Sequence, residues 1–218
     1  MKIFLDTADV EAIAQWQPTG LLDGITTNPT TLSAVTDPIE TIVQICKLLP
    51  DGDISVEVTE HQPDDIYKQA KKIAAIAPNV IVKIPCYAAY YSVIRQLVLE
   101  GIAINITLVF TLMQGICMSK LGVRYISPFI GRWDDLDVDG SELLYQLRDA
   151  IDYYGYSTQI LAASLRTVRH VHEAIMANVD VITVPVKILE KISTHPLTDA
   201  GMKQFNADWQ KRAHSRFP

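Results

Sequence analysis

Three observations in this sequence predict a closed α/β barrel. A short apolar strand followed by an amphipathic helix recurs eight times along the chain. The run Val80-Ile81-Val82-Lys83-Ile84-Pro85 is almost unbroken branched aliphatic, the pattern of a parallel strand covered on both faces. No Gly-rich dinucleotide turn follows the first strand, which weighs against the alternative, an open doubly wound sheet. Eight such units fit a single (β/α)8 TIM barrel domain over residues 1–218, with one additional C-terminal helix at about 199–214.

Residues 2–6 form the first strand, and Thr7, Asp9 and Glu11 supply an N-cap and an acidic first turn for a helix carrying Val10, Ile13 and Ala14. The second strand, Gly24 to Asn28, stops at Pro29, which cannot donate to a ladder. Asp37-Pro38-Ile39-Glu40 then combines a cap, a first-turn proline and an N3 glutamate, and Ile39, Ile42, Val43 and Cys46 give that helix its apolar face. A turn at Leu49-Pro50-Asp51-Gly52 leads into a third strand, 54–59, and Pro63-Asp64-Asp65 opens a helix with Ile66, Ala70 and Ile73 inward. The fourth strand, 80–85, precedes a helix over about 88–99, and the fifth, 101–107, one over about 113–121. After the sixth strand, 124–129, comes the longest and most acidic loop, 131–140, and a helix through Leu143, Leu144 and Leu147. The seventh strand, 159–164, meets a helix capped by Thr167, and the eighth covers 180–185. Beyond Pro196 the last helix presents Met202, Phe205 and Trp209, a stripe that either closes the barrel or packs on a neighbouring subunit.

With 218 residues, 49% of them hydrophobic, the chain can bury a full barrel core. A net charge of −6 without any basic cluster argues against nucleic-acid or membrane partners and for a small ligand. Cys46, Cys86 and Cys117 are odd in number and widely spaced, which speaks against disulfides or a zinc site and for a reducing, cytoplasmic setting. Cys86 has no histidine partner in view that would make it a nucleophile. His61, His170, His172, His195 and His214 show no ligand spacing, so no metal is expected. The first strand begins too close to Met1 for a signal peptide, and no apolar run reaches membrane-spanning length.

The chemistry centres on Lys83. A lysine in a strand covered on both faces is buried where its ammonium form is disfavoured, so its pKa should fall and leave free amine able to attack a carbonyl. The competing reading puts Lys83 at a strand end, snorkelling to water. A nearby carboxylate would favour the ammonium and oppose that fall. In parallel barrels the active site lies at the C-terminal strand ends, and period two picks out the residues sharing the interior face. Counting by twos gives Phe4 and Asp6; Thr26 and Asn28; Ser55 and Glu57; Ile81 and Lys83; Ala103, Asn105 and Thr107; Ser127 and Phe129; Ala162 and Ser164. Each polar residue has an ordinary explanation as a cap, turn or strand former. It is their matching parity that makes a constellation. Arg132 and Arg166 follow the sixth and seventh strands, where barrels commonly hold phosphate, and arginine is its bidentate partner. The competing reading of Arg166 is a solvated surface residue.

The blocks FLDT, GITTNPT, EVT, VKIP, INITLVF, SPFIGRWDD, LAASLRT and ITVP run in order through essentially the whole chain, and together they resemble the transaldolase family. The length is similar to that of the small transaldolase and fructose-6-phosphate aldolase branch, whose barrels often assemble into decamers. The resemblance implies that Lys83 is the Schiff-base lysine, Asp6 the acid/base carboxylate, and Glu57 with Thr107 the pair that positions a catalytic water. It implies that Asn28 and Asn105 hold the dihydroxyacetone portion of the substrate and that Ser127 and Ser164 are further polar contacts. Arg132 and Arg166 match the phosphate anchors. Glu57 and Phe129 stand where the aldolase subgroup has glutamine and tyrosine, favouring transfer over free aldol cleavage. The chain departs from the family pattern just after the lysine block, at Cys86, Tyr87, Ala88, Ala89, Tyr90 and Tyr91, which bears on the fourth helix cap and the pocket rim.

The function so implied is transfer of a dihydroxyacetone unit between ketose and aldose phosphates through a lysine Schiff base, in the pentose phosphate pathway. Implied substrates are fructose 6-phosphate, sedoheptulose 7-phosphate, erythrose 4-phosphate and glyceraldehyde 3-phosphate, with no metal or organic cofactor and a homo-oligomer, pentameric or decameric. The alternatives are a fructose-6-phosphate aldolase and, from another class, a non-catalytic sugar-phosphate-binding barrel.

Overall fold

Eight parallel strands pair in sequence order, and the last closes onto the first: β1 (Lys2–Asp6), β2 (Gly24–Thr26), β3 (Asp53–Glu57), β4 (Val80–Pro85), β5 (Ile104–Val109), β6 (Tyr125–Pro128), β7 (Gln159–Ala162) and β8 (Val181–Val184). The structure, a computed structural model, describes residues 1–211. Pairing of β1 with β8, Phe4 opposite Thr183, makes the sheet a closed (β/α)8 barrel and rules out the open doubly wound alternative. Helices α1 (Val10–Trp16), α2 (Pro29–Leu32), α3 (Pro38–Leu48), α4 (Pro63–Ala74), α5 (Tyr91–Leu99), α6 (Leu112–Leu121), α7 (Glu142–Tyr154), α8 (Val168–Met176) and α9 (Val186–Ile192) follow the strands, and α10 (Pro196–Gln210) comes last. Among the described residues no helix is long and apolar enough to cross a membrane.

Local chemistry sets most helix starts. Asp9, rather than Thr7, caps α1 by accepting from the Glu11 and Ala12 amides, Asp37 caps α3, and Thr167 caps α8. The one-turn helix α2 is not expected from the sequence. Asn28 accepts the Thr31 amide while Thr31 accepts the Asn28 amide, a reciprocal box that turns the chain into a helix at Pro29 rather than merely stopping the strand. The last helix starts at Pro196, with the His195 ring accepting the Leu197 amide, earlier than the expected 199. Residues 212–214 of the expected helix lie outside the described residues. No residue of α10 is buried, whereas α9 packs Ile188 and Leu189 into the core.

Two separate cores result. Aliphatic side chains of outward parity, among them Leu5, Val56, Val82, Ile84, Ile104 and Ile106, fill the layer between sheet and helices. Inside the barrel a plug of Phe4, Ile81, Tyr125, Leu161, Ala163 and Val181 is packed around an edge-to-face pair, Phe4 and Tyr125, 6.0 Å between ring centroids. Gly24 makes room for it, since a Cβ there would lie 2.6 Å from the Phe4 ring. Two residues further along their strands stand Asp6, Lys83, Ser127 and Thr183, so the apolar plug is the floor beneath a polar layer.

The expected parity holds from β1 through β6, and β7 requires a correction. Leu161 and Ala163 face the interior, while Ala162 packs in the outer layer. The Ala-Ala pair offers no polarity contrast to fix the register. Ser164 still reaches the interior because it has left the ladder, with φ of 58° in the left-handed region.

Candidate active site

A cavity of about 400 Å³ sits at the C-terminal strand ends. Asp6, Thr26, Asn28, Glu57, Lys83, Thr107, Ser127, Phe129, Arg132, Ser164 and Arg166 all line it. Asn105 is fully buried outside the lining: it donates to Ser55 Oγ at 3.1 Å and accepts from Ser127 Oγ at 2.7 Å. With both ends of its amide engaged, Asn105 acts on the cavity through Ser127, bracing β3, β5 and β6.

Lys83 is 6% exposed, which excludes the snorkelling reading. Its Nζ lies 3.0 Å from Glu57 Oε2 and donates to the Thr27 carbonyl at 3.0 Å. The β3–β4 register sets Glu57 directly opposite Lys83, so this ion pair follows from strand alignment. Both contacts give the buried amine hydrogen-bond partners.

The second carboxylate, Asp6, is held differently. Its Oδ1 accepts from Thr26 Oγ1 at 3.2 Å and from Asn28 Nδ2 at 3.4 Å. Burial pushes the Asp6 carboxyl above its ordinary range, against the lowering pull of the Lys83 charge and of these two hydrogen bonds. Thr26 Oγ1 also meets Thr183 Oγ1 at 2.6 Å. Because the Thr26 proton goes to the carboxylate, Thr183 is the donor in that contact, giving a relay from Thr183 through Thr26 to Asp6. Sequence reasoning misses Thr183, although counting β8 by twos from Val181 would have found it. Leu108, also in the lining, has no sequence signal: its φ of 58° accompanies a register shift between Ile106 and Val109.

The Thr107 hydroxyl is buried with no hydrogen-bond partner among the described residues and borders the cavity, leaving its capacity for a ligand or water. At the rim, Arg132 lies over the Phe129 ring at 5.2 Å, and Phe129 packs edge-on against Phe110. Arg166 makes a two-pronged pair with Asp135, at 2.6 and 3.0 Å. Gly131 permits this packing, because a Cβ would lie 2.3 Å from the Ser164 carbonyl and 2.9 Å from the Arg166 side chain.

Residues outside the cavity have structural roles. His170 donates from Nε2 to Asp134 at 2.9 Å and accepts the Arg166 amide at Nδ1. Burial pushes the Cys86 thiol up to about 11, so it is not a thiolate at neutral pH. Tyr87, Tyr90 and Tyr91 do not line the cavity; Tyr90 donates to the His61 carbonyl at 3.1 Å and Tyr87 packs edge-on against it. No side chain caps α5. Among the described residues, no group of three or more His, Cys, Asp or Glu is arranged to hold a metal.

Fold and site together define a barrel enzyme with a buried lysine between two carboxylates at the strand ends and arginines at the rim. Residues 3–216 match the family described as transaldolase/fructose-6-phosphate aldolase, and the chain belongs to that family. Relatives named "Probable transaldolase" include those of Dinoroseobacter shibae, 44% identical over 97% of both chains, and Caulobacter sp. strain K31, 45% identical over 96% of both. Among solved structures, the carboxyl transferase domain of Rhizobium etli pyruvate carboxylase superposes with a TM-score of 0.64 at 12% identity, over 85% of this chain and 39% of that one. That likeness concerns the barrel fold alone.

Proposed function

We propose that the protein is a transaldolase, moving a dihydroxyacetone unit from a ketose phosphate to an aldose phosphate through a Schiff base on Lys83. The observation that carries this reading is the position of Lys83, buried at the cavity with Glu57 at 3.0 Å and inside the field of Asp6. Glu57 is the base within reach of the lysine proton that must leave before the amine attacks the keto carbon. Loss of water gives an iminium, an electron sink. The Asp6 carboxylate takes the proton of the carbon-4 hydroxyl, the bond between carbons 3 and 4 breaks into the iminium, and an aldose phosphate leaves. The resulting enamine attacks the aldehyde carbon of the acceptor, whose new alkoxide regains a proton from Asp6. Water held by Glu57 and the unpaired Thr107 hydroxyl then hydrolyses the product iminium.

Asn28 and Ser127 face the three-carbon fragment in this reading, and Arg132 and Arg166 hold the phosphate. Fructose 6-phosphate and sedoheptulose 7-phosphate are the proposed donors, erythrose 4-phosphate and glyceraldehyde 3-phosphate the acceptors, and cytoplasmic pentose phosphate metabolism the setting. Borohydride reduction after incubation with fructose 6-phosphate should leave a dihydroxyacetone-derived adduct on the Lys83 peptide, detected by mass spectrometry. No adduct on folded protein would sink the Schiff-base reading. Dependence of product formation on added erythrose 4-phosphate then separates transfer from free aldol cleavage.

The same reading includes a homo-oligomer of five or ten subunits. Its support is α10, in which no residue is buried and which leaves Met202 54% and Phe205 70% exposed on one face. Phe205→Glu is expected to shift the sedimentation coefficient toward that of a smaller species. An unchanged coefficient would remove α10 from the interface.

A further inference from the structure

The proposed phosphate anchor is already engaged. Arg166 meets Asp135 through two roughly parallel bonds, Nη1 to Oδ1 at 2.6 Å and Nη2 to Oδ2 at 3.0 Å, the same fork that arginine presents to phosphate. One guanidinium edge cannot hold both anions. We infer that Asp135 is an internal competitor for the phosphate-binding edge of Arg166, a latch that weakens capture of the aldose phosphate and speeds its exchange. This deepens the assignment of Arg166 as a phosphate anchor and rests on it.

The surroundings suit a latch. Asp134 is fixed by the buried His170, whose other nitrogen accepts the Arg166 amide, so both halves of the Asp135–Arg166 pair hang from one histidine. The Gly131 amide donates to the Ser164 carbonyl at 3.0 Å, a further tie between the two loops. Release therefore needs only a side-chain rotation. Asp135 is also well exposed, 58% by side chain, so its freed carboxylate enters water without desolvation cost. Arg132, next in the loop to Trp133, adds its positive charge to that of Arg166 in holding the Asp135 carboxyl below its ordinary range. An incoming dianion meets the same two charges.

The reaction gives the latch a use. Transfer brings two aldose phosphates in turn to one anion site while the three-carbon fragment stays on the enzyme. The first must leave before the second enters, and a competing carboxylate returns to Arg166 as the phosphate departs. Asp135 thus sets affinity and exchange without touching the reacting carbons.

Calorimetric titration of the intact protein with inorganic phosphate tests this. Removing a competing surface pair should tighten phosphate binding about three- to fivefold in Asp135→Asn. Asp135→Ser, which has no amide oxygen to bond Arg166, should do the same. Asp137→Asn removes an equal charge two residues on and should change nothing. In turnover, the KM for erythrose 4-phosphate should fall by the factor seen with phosphate, while that for unphosphorylated glyceraldehyde stays put. Unchanged or weaker phosphate binding in both Asp135 variants overturns the latch, as does an equal gain in Asp137→Asn. If Arg166→Ala binds phosphate as the parent does, the anchor assignment itself fails. Loss of phosphate binding in Arg166→Ala with no gain at Asp135 keeps the anchor and discards the latch alone.

Discussion

Lys83→Met will abolish borohydride-trappable capture of fructose 6-phosphate and lower transfer by about four orders of magnitude or more, the scale on which enzymes lose activity when their nucleophile is removed. Methionine nearly matches lysine in length and keeps the packing between Ile81 and the strand end, so the loss reads the amine rather than the fold. The substitution has a second effect, on stability. Glu57 would keep a carboxylate with only 11% side-chain exposure and lose its partner at 3.0 Å. Orphaning a buried charge costs about 3–5 kcal/mol, and less here because Glu57 borders an open cavity. Adding Glu57→Gln to the Lys83→Met chain should therefore recover part of the lost melting temperature without recovering any transfer. Measurable transfer by a well-folded Lys83→Met protein would remove Lys83 from the chemistry.

Much of this centre is legible in the amino-acid sequence alone. Strand period two places Asp6, Glu57, Lys83 and Thr107 on one side because each is a polar residue preceded by an aliphatic one of opposite parity, Leu5, Val56, Val82 and Ile106. Where the contrast disappears, legibility goes with it. Ala162 and Ala163 are alike, and Ser164 lies past the strand end in a left-handed backbone, so period two assigns β7 the wrong parity although Ser164 does reach the cavity. Thr183 carries the right parity, but a threonine in a strand is usually no more than a strand former. Parity places Asn105 on the correct face, yet its depth below the cavity depends on how its amide pairs with Ser55 and Ser127, on two strands that meet it only in three dimensions. The Asp135–Arg166 pair joins loops 31 residues apart and has no signature in spacing. The apolar stripe of α10 is visible in the sequence, but that none of its residues is buried is a tertiary fact.

Asp6→Asn should separate capture from cleavage. The amide keeps the volume and an oxygen for the Thr26 hydroxyl, but it cannot take the carbon-4 hydroxyl proton. Trapping on Lys83 should persist while transfer falls about 10²–10⁴-fold, the usual contribution of a general base. The pH profile identifies the group. Asp6 works as a base only when ionised, and burial raises its pKa above that of an ordinary aspartate, so the acid limb of the parent should lie above the usual carboxylate range and vanish in the variant. Stability carries the opposite sign. A carboxyl whose folded pKa exceeds its unfolded one favours the folded state below the unfolded pKa and loses that contribution as pH rises through the folded value. Wherever Asp6 is ionised it is thus a stability cost, one that the proposed chemistry requires, softened by the Lys83 charge, Thr26 and Asn28. Asp6→Asn should melt higher than the parent at neutral pH, and the gap should close as pH falls into the ordinary aspartate range. A variant that loses trapping altogether would make Asp6 a binding group, and one that keeps the parent acid limb would assign that limb to another residue.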